Sequence, residues 1–401
     1  DRSSPFATEL QNAVSDTWQR LLRTSLETDV RAELKMRSDG EAVNIFATNL
    51  RNLLLSAPLG GLKVVAIDPG LRTGCKCVAL DETGKYLETV TIYLTKGQKE
   101  VERAEEVFAS FVGTFKPDAV AVGNGTGGRE TEAFVRKVLK TKGLTKVHVV
   151  QVNESGASIY SASQIARDEF PDLDLTIRGS ISIGRRLQDP LAELVKLEPK
   201  SIGVGQYQHD VNQVKLGAGL NQVLEDCVNA VGADVNTASV PLLKSISGLT
   251  ESAATGIVNF RETNGRFQNR ESIRKVAGIG DKTFQQAAGF LRIVGGDNPL
   301  DISAVHPEAY HVVDRILEKN NITVTDIMGH SALIDSLSVK DYVCDNFGQE
   351  TVRDVLSELK KPGRDPRPEF KTASFDDDIN TVADLKVGMK LEGVVTNVTN
   401  F

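Results

Sequence analysis

The chain has 401 residues, 40% hydrophobic and 25% charged, with a formal net charge of −7. That length suggests two to four domains. No apolar run approaches the ~20 residues of a membrane-spanning helix, so no membrane partner is expected. Four cysteines (Cys75, Cys77, Cys227 and Cys344) form no Cys-x-x-Cys pair and are too sparse for a disulfide framework, which fits a reducing, cytoplasmic compartment.

In chain order, residues 1–60 read as helical. Leu10, Val14, Trp18, Leu21 and Leu22 recur at helical spacing, as do Ile45, Leu50, Leu53 and Leu54. The start is polar and lacks an initiator Met, so we expect the tail of a larger helical region. From Leu62 the period changes. Strands are predicted over Leu62–Asp68, Cys75–Leu80 and Leu87–Leu94, then a helix from about Lys99 to Phe115. A strand over Asp118–Val122, a helix over Glu130–Leu139 and a strand over Val147–Val152 complete a mixed α/β sheet. Cys75 and Cys77 point to one face of their strand and read as core. Helices dominate from Ser158 to about residue 230.

Residues 237–293 contain a 30-residue repeat. Leu243, Ile246, Gly248, Ile257 and Phe260 align with Ile273, Val276, Gly278, Ala287 and Phe290. Each copy reads as helix, short Gly turn, helix. A Gly-x-Gly turn lets backbone approach a phosphate without a Cβ clash. The following helix start adds free N–H groups and its dipole. Gly278, Ile279, Gly280, Lys282 and Thr283, with Arg274 and Lys275, are therefore the candidate nucleic-acid site. Gly248, in a copy lacking the second glycine and followed by Glu251, is the weaker half. An acidic chain needs a local basic patch to bind nucleic acid. Residues 261–292 hold seven cations against three acids.

Asp68 ends the first strand and precedes a Gly turn, Pro69-Gly70-Leu71-Arg72-Thr73-Gly74. Phosphodiester hydrolysis by two metals needs several convergent carboxylates. The strand order and Ile67-Asp68-Pro69-Gly70 resemble the RNase H-like fold in its RuvC and YqgF branch. That resemblance implies three metal-holding acids. Asp68 matches the first, and Asp189 is placed at the last. Where RuvC nucleases carry a glutamate stands Gly123-Asn124, and where YqgF proteins carry Asp-Glu stands Asn153-Glu154. An amide is a poor magnesium ligand beside a carboxylate. The expectation is therefore a degenerate site, not an enzyme, with no cofactor beyond weak Mg or Mn at Asp68. A nuclease or resolvase using Asp68, Glu154 and Asp189 is the alternative, with Arg185 and Arg186 as phosphate contacts or, more ordinarily, solvated helix positions. Asp68 has a plainer role in holding its own turn, and Asp189 as a helix N-cap before proline.

Gly123-Asn124-Gly125-Thr126-Gly127-Gly128 satisfies G-x-G-x-x-G after a strand and before a helix, so a nucleotide site is a second alternative. However, a dinucleotide fingerprint belongs to the first βα turn of its domain. A loop that leaves the cleft open to a strand or phosphate is preferred. His209-Asp210 has no third catalytic partner and reads as a buried packing pair.

The order of these parts resembles the Tex family of bacterial transcription accessory proteins. Ile67–Gly74, Gly123–Thr131, Gly203–Val211, Val228–Gly232, Asn236–Ser239 and Pro362–Pro368 carry the likeness. It implies a multidomain α/β plus α chain: an RNase H-like mixed-sheet domain, then tandem helix-hairpin-helix and a further helical module. The boundaries are a helical region over 1–60, a YqgF-like domain over 61–197 and connecting helices over 198–236. The hairpin pair covers 237–296 and the helical module 297–359. A Pro/Gly-rich linker runs over 360–382, and the first strand of an OB-fold RNA-binding domain over 383–401. On this reading the chain is the central part of a longer protein. It binds DNA or RNA without sequence preference and acts beside the transcription machinery.

Overall fold

A computed structural model describes residues 4–344, 347–371 and 385–391. A nearly continuous helix opens the chain. It comprises α1 (Ala7–Asp16), a wider π-helical stretch over Thr17–Leu22, and α2 (Arg23–Leu54). The helical spacing is a correct guide to helix, but not to burial. Leu10, Val14, Trp18, Leu21 and Leu22 are all exposed, whereas Phe46, Leu50 and Leu54 pack with Leu216 and Leu220 of α9 (Gln213–Val231).

The sheet contains β1 (Val64–Asp68), β2 (Cys75–Leu80), β3 (Tyr86–Ile92), β4 (Ala119–Gly123) and β5 (His148–Val152), in the order β3-β2-β1-β4-β5. β1 pairs antiparallel with β2 and parallel with β4, and β4 runs parallel to β5. Asp68, Gly123 and the residue after Val152 therefore lie at one end of three parallel strands. β1 is continuously apolar because both its faces are covered. Val65 and Ile67 join Cys75, Cys77, Phe108 and Val135 on the side of α3 (Gln98–Phe115) and α4 (Gly128–Thr141). Val64 and Ala66 join Ile181, Ile183 and Leu187 of α7 (Leu175–Gln188) on the other. α7 lies close on the sheet because Gly184 has no side chain: a Cβ there would sit 2.5 Å from Leu80 and 2.8 Å from Ala66.

Short helices α5 (Ala157–Ala162), α6 (Gln164–Glu169) and α8 (Pro190–Leu194) connect this layer to α9. Then β6 (Ala233–Asp234), α10 (Val240–Lys244), α11 (Glu251–Asn264), α12 (Asp281–Ala287) and β7 (Leu291–Arg292) form the repeat, with β6 and β7 parallel at its base. One apolar cluster runs from α2 through α9 into both hairpins, so the repeat shares its core with the connecting helices. Helices α13 (Tyr310–Asn320), α14 (Val324–Ile327), α15 (Ser331–Asp335) and α16 (Gln349–Lys360) enclose a separate core around Val312, Val313, Ile316, Val352 and Leu359.

The segment expected to be a linker has no regular structure over 361–371, as its prolines and glycines dictate, yet it is held. Arg367 donates to Asp189 Oδ1 and Asp365 Oδ2, each at 2.7 Å, with its side chain only 6% exposed. Phe370 packs on the α7 side of the sheet. The strand expected within 383–401 is not seen in its described part, 385–391: Val387-Gly388 is a turn, with Gly388 at φ 93°. Residues 372–384 and 392–401 lie outside the described residues.

Candidate nucleic-acid interface

The two copies of the repeat match in detail. Leu243 and Ile246 are buried, as are Ile273 and Val276. Gly248 and Gly278 adopt the same left-handed conformation, at φ 87° and 89°. A residue with Cβ is strained there, so the turn itself calls for glycine. The helix before the second turn is of the tighter 3-10 form, over Arg270–Lys275.

Beyond the turns the copies diverge. In the first, a Cβ on Gly248 would meet Gln286 of α12 at 2.7 Å. The Thr250 side chain accepts from Ala253 N–H and caps α11. Lys244 is paired with Glu251 at 2.6 Å. This turn is occupied by the protein itself. In the second copy nothing lies within 4 Å of a Cβ built on either Gly278 or Gly280. Among the described residues no side chain caps α12, so its first amides lack a side-chain acceptor. Lys275 and Lys282 are exposed beside them.

The structure corrects two details of the predicted site. Ile279 is buried at 6% exposure, so its side chain anchors the turn and only its backbone faces outward. Arg274 lies over the Phe284 ring and is engaged by Glu271 at 2.9 Å and by Asp281. Thr283 is half-buried in the first turn of α12. The charge count over 261–292 also overstates the surface. Arg261 donates to the carbonyls of Val235 and Ala238. Arg270 is 1% exposed and donates to the carbonyls of Leu291, Ser303 and Val305 and to the Tyr310 hydroxyl. Arg292 is buried and donates to Ile302 O. These three arginines hold backbone. Arg266, Arg274, Lys275 and Lys282 remain outside, against Glu262, Glu271 and Asp281.

At the sheet end, Asp68 and Glu154 are brought together and Asp189 is not. Asp68 accepts no hydrogen bond among the described residues, so it does not brace its own turn. Burial, and then the Glu154 carboxylate, push its carboxyl up to about 6, with Lys76 opposing. Glu154 fills the glycine loop: a Cβ on Gly125 would lie 1.6 Å from its Oε1, and one on Gly123 2.3 Å from its Oε2. The loop expected to stand open to a ligand is therefore closed, because the chain's own carboxylate occupies it. Gly179 of α7 faces Asp68, offering no third acid there. Asp189 instead caps α8, accepting from Ala192 N–H at 3.1 Å, and pairs with Arg367. No group of three His, Cys, Asp or Glu among the described residues is placed to hold a metal ion.

Arg185 and Arg186 are neither solvated nor turned outward. Arg185 donates to Gly84 O and is paired with Glu169 at 2.5 Å. Arg186 is 4% exposed and donates to the carbonyls of Asn153 and Ser155, which fixes the strand end that carries Glu154. His209 and Asp210 are exposed in a turn and not a buried pair, and Asp210 O accepts from Lys35. Sequence reasoning missed Arg270 and Arg367. The side-chain partners of Arg270 lie 21–40 residues away, and Arg367, set between two prolines, reaches Asp189 178 residues away.

Fold and sites together define a YqgF-like α/β domain joined to helix-hairpin-helix modules. Residues 62–188 match the Tex protein YqgF-like domain, 228–292 a helix-hairpin-helix motif, and 298–367 a further HHH domain. The chain is 52% identical to protein YhgF of Escherichia coli K12 over 399 residues, covering 100% of this chain and 51% of that protein. It is 50% identical to the transcriptional accessory protein Tex of Neisseria gonorrhoeae, covering 98% and 51%. Human S1 RNA-binding domain-containing protein 1 is 36% identical, covering 98% and 45%. The chain belongs to the Tex family. It spans about half the length of the curated relatives it matches.

Proposed function

We propose that this chain is a sequence-independent nucleic-acid-binding scaffold in transcription and that its YqgF-like domain does not hydrolyse phosphodiesters. The observation that carries the reading is the second hairpin. Gly278 and Gly280 leave the turn unobstructed, the α12 amides lack a side-chain cap, and Lys275 and Lys282 flank them. Backbone N–H groups and point cations hold phosphate oxygens, which positions a duplex without reading its bases. The first hairpin, closed by Gln286, Thr250 and the Lys244–Glu251 pair, braces the second. The place in transcription rests on likeness to a relative named a transcriptional accessory protein.

A metal-dependent nuclease is the second reading, favoured by the unpaired Asp68 beside Glu154. The residues do not fit a two-metal centre: two carboxylates converge, and the helix opposite presents Gly179. A nucleotide in the Gly123–Gly128 loop would have to displace the Glu154 carboxylate. The deciding experiment incubates the chain with single-stranded RNA, duplex DNA and a four-way junction, in magnesium and separately in manganese, with Asp68→Asn as control. The expected result is binding without cleavage. Cleavage that disappears in Asp68→Asn sinks the scaffold reading.

A further inference from the structure

The hairpin is not the most unbalanced positive surface of this chain. From Ala133 to Asn153 the sequence carries five lysines and arginines and no acid, in a protein of net charge −7. These residues form the second half of α4, its following loop and β5. Arg136 is paired with Glu132 at 2.7 Å and Lys137 with Glu105 at 2.6 Å. Lys140, in the last turn of α4, complements the helix dipole. Lys142 and Lys146 are exposed and have no acidic partner among the described residues. The same holds for Lys116, in a left-handed conformation just after α3.

Topology gathers these three. The bond from His148 N–H to Asp118 O ties the Lys142–Lys146 loop to the segment after Lys116. All lie where the parallel strands β4 and β5 begin, at the opposite end of the sheet from Asp68 and Glu154. Asp118 is the acid set among them, and one of its oxygens accepts the Lys63 N–H at 2.9 Å. Between Lys116 and His148 no large hydrophobic side chain is exposed. A protein interface would want an aromatic or aliphatic anchor. A cluster of lysine point charges around a loop whose apolar residues, Leu144 and Val147, are turned to the core suits a regular array of phosphates.

We infer that Lys116, Lys142 and Lys146 form a second binding surface for the phosphate backbone of duplex nucleic acid. The charge stands on its own, whereas the choice of nucleic acid over another polyanion rests on the proposed function. The test measures equilibrium binding of a labelled 20-base-pair DNA duplex, and of the matching RNA duplex, across a salt series. The variant is Lys116→Glu/Lys142→Glu/Lys146→Glu. A charge-matched control reverses Lys200, Lys215 and Lys340, also exposed, and thermal unfolding confirms that each variant folds. The expected result is about a tenfold loss at low salt beyond that of the control. The slope of log affinity against log salt should also fall by about 0.9 for each phosphate that is no longer neutralised. Affinity and slope equal to the control's overturn the inference, even if Gly280→Val/Lys282→Glu abolishes binding. If the lysine variant loses binding while the hairpin variant keeps it, the hairpin reading fails and this surface stands.

Discussion

The chain has two glycine-rich loops that invite the same reading, and the protein uses them oppositely. In Gly123–Gly128 the missing side chains make room for the protein's own Glu154 and for the Gly123 carbonyl. In Gly278–Gly280 the room is left to solvent. Glycine permits close backbone approach, but the motif does not say what approaches. A loop filled by its own chain is a packing device, and one left vacant beside uncapped amides and lysines is a candidate binding turn.

This contrast can be broken by substitution. The largest effect should come from Gly128→Ala. Its Cβ would lie 2.5 Å from the Gly123 carbonyl oxygen, which is backbone and yields little. We expect a loss of about 3 kcal/mol in urea unfolding, and an unchanged midpoint would mean that the filled loop is not tightly packed. Asp68→Asn comes next, and its sign is opposite. The folded carboxyl sits at about 6, above the ~3.9 of an unfolded Asp. Between those values the folded state binds the proton more readily, so this group's contribution to stability falls as pH rises from about 4 to 6 and then stays low. The Asn variant should remove that fall and gain about 2 kcal/mol at pH 7, the ~3 kcal/mol of a two-unit shift less what solvent screening of a partly exposed group removes. Equal stabilities of variant and parent at pH 4.5 and 7.5 would refute the raised value.

The vacant loop should respond in binding rather than in folding. Gly280→Val/Lys282→Glu should weaken duplex DNA binding at least tenfold at low salt, about 1.4 kcal/mol, with a shallower salt dependence. Unaltered affinity would remove the hairpin from the interface. The smallest effect is Gly280→Ala alone. With nothing within 4 Å and no positive φ, it should leave unfolding within about 0.5 kcal/mol. A larger loss would show that this turn, too, is internally packed.

The strands, the repeat and the paired turns were legible because each rests on local periodicity, whereas the order of the strands in the sheet was implied only by the family resemblance. Apolar runs set the strands, and a 30-residue offset set the hairpins. Long-range polar interactions were not legible. Arg261, Arg270 and Arg292 count as positive charge in a sequence, and only the folded chain shows them donating to carbonyls. Glu154 could be placed at a strand end, but not inside a loop closed by glycines about 30 residues earlier. Asp189 was recognisable as a cap before proline, whereas its arginine partner stands 178 residues on. The exposed Leu10–Leu22 stripe has the same cause: periodicity specifies a face, not what covers it.

The Arg367–Asp189 pair changes the mechanics of the chain's end. As a free coil, residues 361–371 would let whatever is attached beyond them roam over a radius of up to about 35–40 Å. Held by a buried guanidinium and by Phe370, they move the point of departure from the tip of α16 to the flank of α8. The swept volume shrinks, and the effective concentration of a tethered element near the YqgF-like domain rises accordingly. Cutting this pair alone would leave Phe370 as the remaining hold, so the full leash returns only when both are lost.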